Sequence, residues 1–303
     1  MVKKNILITG GTGFVGKHLT NLLISKGFSV SVLSRSKRAN KESLSYYTWD
    51  IDKFIIDEEA VLNADCIIHL AGENIAGKRW TQSRKKAIVD SRVQPVKLIE
   101  SILKKHNKKL DAFISASGVG IYGGYNKTKI CSEERVAATD FLGSTCQKWE
   151  AVADEMALYA NRIVKVRTGL VLGKGGFLSK ILPLFKWRLG SAIGTGKQFM
   201  PWIHIDDLCR IYLEAIENPQ MNGAYNAAVF DNTTNAIFSK KLAKVLGYKI
   251  LLPNVPAFML RILLGEMAVI VLTGQRVSPE KIKKLGFQFQ YKDLETAIRN
   301  CLK

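Results

Sequence analysis

Three glycines at intervals of three residues, Gly10, Gly13 and Gly16, lie near the start of the chain between an apolar run and a helical pattern. The apolar run, residues 6–8, suits a buried strand, and residues 18–26 place leucine and isoleucine side chains at helical intervals. At such a turn the helix N-terminus offers unpaired N–H groups to phosphate, and glycines let a pyrophosphate approach the backbone. The pattern therefore predicts a dinucleotide site rather than an ordinary glycine-rich loop. Its predicted contact residues are Gly10, Thr12, Gly13, Phe14, Val15 and Gly16.

The end of the second predicted strand, Ser29 to Leu33, indicates which dinucleotide is bound. A cofactor without a 2′-phosphate usually meets an Asp or Glu there, about 20 residues past the glycines. This chain instead has Ser34, Arg35 and Ser36. The arginine offers a planar fork of donors that suits a phosphate, and the serines offer hydroxyl groups. We therefore expect NADP(H) in preference to NAD; the alternative is a solvated basic loop.

Two later strand ends supply further predicted cofactor contacts. The first follows the third predicted strand, where an adenine would lie, and the second follows the fourth, where small residues let the nicotinamide half approach. These contacts are Asp50, Ile51, Leu70, Ala71, Gly72 and Glu73. We interpret His69, which faces a packed sheet, as a structural histidine rather than a catalytic one.

Strand and helix patterns alternate through the first half of the chain, and this alternation is typical of a doubly wound parallel sheet, the Rossmann α/β fold. Long helices are expected over residues 84–105 and 145–160. After Gly169 the sequence becomes rich in glycine and turns, which suits loops over a substrate cleft. We expect an NADP-binding domain over residues 1–168 and a smaller substrate-side lobe with a C-terminal segment over residues 169–303, with parts of residues 203–231 returning to the sheet.

Composition limits the partners and the compartment. The 303 residues are 47% hydrophobic, enough for a substantial core, and we expect a cytoplasmic protein without a signal peptide or membrane span. The apolar stretch 256–275 contains Arg261 and Glu266, so we predict a buried amphipathic helix or helix pair there. Five cysteines without paired CxxC spacing favour neither disulfides nor a metal site.

The chain is strongly basic, with 45 Lys and Arg against 26 Asp and Glu and a net charge of +19. The cations are dispersed and lack the aromatic interleaving that stacks bases, so we expect no specific nucleic-acid partner. The charge does favour attraction of anionic ligands. The sequence leaves the oligomeric state open.

Several longer stretches carry a resemblance to a known family. The residues TGGTGFVG, WDID, HLAG and ISASGVGIYG resemble, in this order, the extended short-chain dehydrogenase/reductase superfamily. The stretches GKRWTQSRKKAIVDSR, CQKWEAVADEM, VRTGLVLGKGGFL and GTGKQFMPWIHIDDL, and the segment from VPAFMLR to FQFQY, are similar to its atypical branch, the epimerase family protein or YfcH-like group. The resemblance covers nearly the whole chain and implies the Rossmann fold and NADP(H) binding.

The resemblance also implies a catalytic tyrosine with a lysine four residues later, because a nearby cation draws the phenol pKa toward neutrality. Tyr125 and Lys129 match that spacing. They come shortly after a predicted strand, and the sequence around them has no apolar face at helical intervals, so we expect a loop there rather than a helix. On the helix where the pair belongs, the matching positions hold Thr145 with Trp149, or Cys146 with Glu150. The usual pair is therefore missing.

Other groups must handle protons if the protein is an enzyme. The candidates are Ser117, Tyr122, Cys146 and Glu150. Arg79 and Arg92 border the expected cleft, where an arginine would hold an anionic group of a small-molecule substrate. We expect an oxidoreductase or epimerase-like enzyme acting on a small carbonyl or sugar-type compound; the alternative is a cofactor-binding regulatory or scaffold protein.

Overall fold

A single large sheet organises the molecule. The computed structural model describes residues 4–124 and 130–303. Its strands are β1 (Asn5–Thr9), β2 (Ser29–Ser34), β3 (Leu44–Asp50), β4 (Ile55–Ile56), β5 (Cys66–His69), β6 (Ala112–Gly118), β7 (Ile130–Cys131), β8 (Ile163–Thr168), β9 (Leu170–Leu172), β10 (Trp202–His204), β11 (Gly223–Ala227) and β12 (Arg276–Val277).

Eight of these strands pair in the order β11-β8-β6-β5-β1-β2-β3-β4. All the pairings are parallel except β3 with β4, which is antiparallel. The order runs outward from β1 in both directions, which is the doubly wound topology. The predicted Rossmann fold is therefore confirmed, and the carboxyl ends of β1, β2, β5 and β6 meet at one edge.

Helices cover both faces of this sheet. They are α1 (Phe14–Ser25), α2 (Glu58–Leu62), α3 (Gln82–Lys105), α4 (Phe141–Glu155), α5 (Gly176–Lys186), α6 (Ile205–Glu217), α7 (Asn235–Val245), α8 (Ala257–Leu264), α9 (Val269–Leu272), α10 (Glu280–Lys284) and α11 (Leu294–Leu302). One apolar core joins the sheet to α1 and α6, and a second joins the opposite face to α2, α3 and α4. In the described ranges, no helix has both the length and the hydrophobicity needed to cross a bilayer.

The fourth helix begins earlier than the sequence pattern predicts. It starts at Phe141 rather than near Thr145 and ends at Glu155 rather than near residue 160. The cause is Asp140, whose Oδ1 accepts a hydrogen bond from the Gly143 N–H at 2.8 Å and so caps the first turn. The cap brings the sequence around Cys146 one turn further into the helix.

The apolar stretch 256–275 also departs from the prediction. It forms α8, a 3-10 turn over Gly265–Ala268 and α9, but no residue of α8 is buried. The predicted buried helix is therefore wrong for α8. The buried contact lies in the following turn, where Met267 packs with Trp80 and Ile88. Leu264 at the end of α8 and Val269 and Ile270 of α9 pack against this cluster while staying partly exposed.

Candidate functional site

The turn between β1 and α1 is shaped by its three glycines. Gly10 has a φ of +70°, and a Cβ there would lie 2.8 Å from the carbonyl carbon of Leu70. A Cβ at Gly16 would lie 2.3 Å from the Gly10 oxygen, so α1 can pack this close to the turn only with glycine at that position. At Gly13, the N-cap of α1, a Cβ would meet only the Gly10 oxygen, at 3.2 Å. The middle glycine therefore faces open space, where a pyrophosphate has room.

The residues around this turn have two roles: some place N–H groups at the start of α1, and the Phe14 side chain packs against a later part of the chain. Thr12, Phe14 and Val15 are partly exposed at the start of α1, so their backbone N–H groups lie at the helix N-terminus. The Phe14 ring packs against the turn at residues 173–176, since Cβ atoms at Gly173, Gly175 and Gly176 would all approach it within 3.0 Å. The glycine-rich sequence after β9 thus supports the nucleotide turn.

The end of β2 presents an exposed arginine, Arg35. Ser34 is buried and its hydroxyl accepts a hydrogen bond from the Ser36 N–H at 3.3 Å. Arg35 and Ser36 are exposed, and Arg35 has no ion pair within the described part of the chain. The guanidinium is therefore available to a phosphate at this position.

The turn after β3 holds the residues predicted to lie near an adenine. Asp50 Oδ1 accepts a hydrogen bond from the Lys53 N–H at 3.1 Å, so the carboxylate closes its own turn. Ile51 is partly exposed and packs against the core of the α2–α3 face. Its remaining surface lies beside the end of β2, because β2 and β3 are neighbours.

A chain of hydrogen bonds shapes the end of β5. The Ala71 N–H donates to Thr9 Oγ1 at 3.2 Å, Thr9 Oγ1 lies 2.8 Å from His69 Nδ1, and His69 Nε2 lies 3.0 Å from the Arg92 carbonyl oxygen. A carbonyl can only accept, so Nε2 carries the proton and Nδ1 accepts from the threonine. Burial lowers the pKa of His69 to about 4, and the imidazole is neutral. The structure supports the interpretation of His69 as a structural residue.

Glu73 and Arg92 hold the loop that follows β5. The Glu73 carboxylate accepts from Arg84 Nη1 at 2.9 Å, and its carbonyl accepts from Arg92 Nη2 at 3.1 Å. Arg92 is buried, its guanidinium lies over the Trp149 ring, and burial lowers its pKa. A Cβ at Gly72 would lie 3.2 Å from the Arg92 Cζ. Glu73 therefore anchors the loop, and Arg92 brings a cation to the predicted nicotinamide side.

Ser117 and Glu150 belong to a buried network centred on Arg167. Arg167 donates from Nε to Glu150 Oε1 and from Nη2 to Oε2, each at 2.8 Å, and the Ser117 hydroxyl donates to Oε1 at 2.7 Å. All three residues are at least nine-tenths buried. Burial alone lowers the pKa of Arg167, but the Glu150 carboxylate outweighs burial and raises it. Most of the polar atoms of the pair are satisfied within this network.

Tyr122 joins the same network from the 3-10 turn after β6. Its hydroxyl donates to Asn226 Oδ1 at 2.6 Å and accepts from Arg167 Nη1 at 3.0 Å. Burial raises the pKa of Tyr122 to about 12, although Arg167 opposes this shift. The phenol therefore keeps its proton at neutral pH and uses it in a hydrogen bond to Asn226.

Cys146 lies next to this network, in the same apolar cluster as Tyr122. Cβ atoms at Gly118 and Gly120 would lie 3.7 Å and 3.9 Å from its Sγ. Burial, followed by the Glu150 charge, raises the pKa of the Cys146 thiol to about 11. The thiol is thus neutral and faces the glycines at the end of β6.

Tyr125 and Lys129 lie outside the described residues. Arg167 was not among the predicted site residues, although it bonds to two of them, Tyr122 and Glu150. The signal for it was an arginine as the penultimate residue of a buried parallel strand, where an unpaired charge is costly and a partner is required.

Comparisons with known proteins agree with this geometry. The profile of the NAD dependent epimerase/dehydratase family matches residues 6–228, and a domain of unknown function (DUF1731) matches residues 255–301. The chain is 35% identical over 299 residues to the epimerase family protein YfhF of Bacillus subtilis, covering 98% of each chain. It is 34% identical over 302 residues to the epimerase family protein SDR39U1 of Mus musculus, covering 98% of this chain and 99% of the other.

A solved structure is also similar over nearly the whole chain. It is the crystal structure of human epimerase family protein SDR39U1 (isoform 2) with NADPH, at a TM-score of 0.85 and 30% sequence identity, covering 98% of both chains.

Proposed function

We propose that this protein, which belongs to the NAD dependent epimerase/dehydratase family, binds NADP(H) along the carboxyl edge of its large sheet. The observation that carries the proposal is the open glycine turn at Gly13 together with the unpaired Arg35 at the end of β2. The turn provides N–H groups and space for the pyrophosphate, and the arginine suits a 2′-phosphate. The NADPH in the similar human structure supports the same choice of cofactor.

The finer assignment of the chain is also a proposal. We assign it to the atypical, YfcH-like branch of the short-chain dehydrogenase/reductase superfamily and place it in the cytoplasm. Residues 1–168 form the NADP-binding domain, and residues 169–303 form the substrate-side lobe and C-terminal segment, with parts of 203–231 in the Rossmann layer. The position of β11 beside β8 supports that last point.

The reaction that the site supports best is reversible hydride exchange with a small carbonyl or sugar-type compound, as in an oxidoreductase or an epimerase-like enzyme. A bound nicotinamide supplies the hydride chemistry. The predicted nicotinamide contacts Leu70, Ala71, Gly72 and Glu73 follow β5, next to the end of β6. Arg92 lies against Gly72 and would hold an anionic group of the substrate beside this edge.

The four predicted catalytic residues have different roles in this proposal. Ser117, Tyr122 and Glu150 are positioning residues, because their hydroxyl groups and carboxylate already bond to one another through Arg167 and to Asn226. Cys146 is the candidate that contacts substrate, since its thiol faces Gly118 and Gly120. A thiol with a pKa of about 11 is a weak acid at neutral pH. We therefore expect turnover about 10²- to 10⁴-fold slower than in relatives with a tyrosine general acid.

A second candidate function is a regulatory or scaffold protein that binds the cofactor without turnover. The observation that favours it is the state of the polar network: the hydroxyl protons of Ser117 and Tyr122 are both committed to acceptors within the chain. A group in this state donates to a substrate only after its internal bond breaks.

The test measures cofactor binding and turnover separately. Calorimetric titration with NADPH and NADH gives the two affinities, and incubation of the NADPH complex with carbonyl compounds and of the NADP⁺ complex with alcohols and nucleotide sugars gives turnover. Tight NADPH binding with turnover supports the enzyme. Tight binding without turnover on the whole panel supports the regulatory protein, and failure to bind NADPH rejects both.

A further inference from the structure

A group of large apolar side chains is exposed on one side of the C-terminal part of the molecule. We call this surface the apolar band. It consists of Leu184, Trp187, Leu189, Leu251, Leu252, Phe258, Met259, Ile262 and Leu263, which are between 45% and 94% exposed. Exposed apolar surfaces of this size mark interaction sites in folded proteins.

Backbone contacts join the parts of the band. The Ser191 hydroxyl donates to the Pro253 carbonyl oxygen at 2.6 Å, and the Val255 N–H donates to the Ala192 carbonyl oxygen at 2.8 Å. The Arg188 guanidinium also lies over the Tyr248 ring. The segment that follows α5 therefore runs beside the segment that leads into α8, and this pairing brings the two parts of the band to one side of the molecule.

The two chain segments that carry the band are basic. Residues 156–205 and 232–265 contain no Asp or Glu. Lys186, Arg188, Lys249 and Arg261 are exposed within these segments, and none of them is in an ion pair with another described residue. The band thus combines apolar side chains with cations and has no carboxylates from its own segments.

We propose that the apolar band docks on the surface of an anionic phospholipid membrane. Apolar side chains enter the boundary between head groups and acyl chains, while Lys and Arg at the edge meet anionic head groups. Trp187, between two cations, is the residue type that anchors at this boundary.

The charges argue against a second copy of the chain as the occupant. A two-fold interface would place the same surface on both sides and bring the cations of the two copies together. The membrane interpretation also places the cleft near the bilayer, because the residues after α8 pack on Trp80, and Arg79 Nη2 donates to the Ile262 carbonyl oxygen at 2.9 Å.

Vesicle flotation tests this proposal. The full chain is mixed with vesicles of phosphatidylcholine alone or with about one third phosphatidylglycerol, at low and high salt. We expect flotation with the anionic vesicles only, and weaker flotation at high salt. The variant Trp187→Gln/Leu251→Gln/Ile262→Gln and, separately, Lys186→Gln/Arg188→Gln/Lys249→Gln should each lower the partition coefficient about tenfold or more.

Matched controls separate the band from general hydrophobicity and charge. Val136→Gln/Leu158→Gln/Ile55→Gln removes equally exposed apolar side chains elsewhere, and Lys109→Gln/Lys148→Gln/Lys284→Gln removes three other cations. Both controls should float like the wild type, and all variants should keep wild-type NADPH affinity.

Four results would overturn the proposal. The first is a wild type that stays unbound with anionic vesicles, and the second is an equal loss of flotation in the controls. The third is a wild-type dimer that the band variants convert to monomers without any vesicle binding, because the band would then be an interface between copies. Binding of an acidic protein without vesicle binding would overturn it as well.

Discussion

The glycine turn after β1 and the polar network around Arg167 lie at the same edge of the sheet, but they are built in opposite ways. The turn is formed by backbone atoms. At Gly13 it borders open space, with the N–H groups of the α1 N-terminus beside it. The network is made of side chains that already satisfy one another in the interior. A change in the first region should therefore affect ligand binding, and a change in the second should affect stability.

Among the variants that test this comparison, Glu150→Ala should cause the largest change in the free energy of unfolding. The substitution leaves the Arg167 guanidinium buried without its carboxylate, and loss of one partner of a buried ion pair costs about 3 to 5 kcal/mol. Urea unfolding should show a decrease of this size in the free energy of unfolding. Asp154→Ala, on the same helix, removes an exposed carboxylate that pairs with Lys165 and should cost less than about 1 kcal/mol. Equal losses in the two variants would contradict the buried role of Glu150.

Gly13→Val should produce the opposite result. A branched side chain there occupies the space left for the pyrophosphate, and NADPH affinity should fall about 100-fold or more, close to 3 kcal/mol. The thermal midpoint should change little, because within the protein a Cβ meets only the Gly10 oxygen. Gly16→Ala is the matched control: its Cβ would collide with the Gly10 oxygen, so it should lower stability by about 1 to 3 kcal/mol. Retained affinity in a folded Gly13→Val variant would show that the phosphates bind elsewhere.

His69, buried at the end of β5, should make stability depend on pH. Its pKa is about 4 in the folded chain and near 6.5 when unfolded, so folding favours the neutral ring. This contribution is complete above about pH 6.5 and is lost as the pH falls toward 4. Between pH 7 and pH 4.5 the wild type should lose about 2 to 3 kcal/mol more than His69→Gln does, as measured by denaturant unfolding. Parallel pH curves for the two proteins would show that His69 is not buried in its neutral form.

Arg35→Asp should have the smallest effect and the most selective one. Loss of a charge-assisted contact to the 2′-phosphate should weaken NADPH binding by about 1.5 to 3 kcal/mol and leave NADH binding nearly unchanged. Lys26→Asp makes an equal charge change at the C-terminal end of α1, and it is the control for long-range electrostatics. If the wild type binds NADPH and NADH equally, Arg35 does not select the cofactor.

The fold and the nucleotide turn could be predicted because their signals are local. The glycine spacing, the apolar run before it and the helical pattern after it lie within about 30 residues, the span over which one strand, turn and helix form. The alternation of strands and helices then limits the possible topologies to a few. The start of α4 was predicted less well, because a cap by Asp140 competed with the apolar pattern.

By itself, the sequence determined the doubly wound fold, the position of the glycine turn and the absence of a carboxylate at the end of β2. Only the tertiary structure decided what the polar residues do, because Ser117, Tyr122 and Arg167 bond to partners that lie far away in the chain. Ser117 and Glu150 are 33 residues apart, and Tyr122 and Asn226 are 104 apart. The exposure of α8 was decided in the same way. Its hydrophobic composition shows that burying its side chains would be favourable. Which surface buries them depends on how the rest of the chain packs.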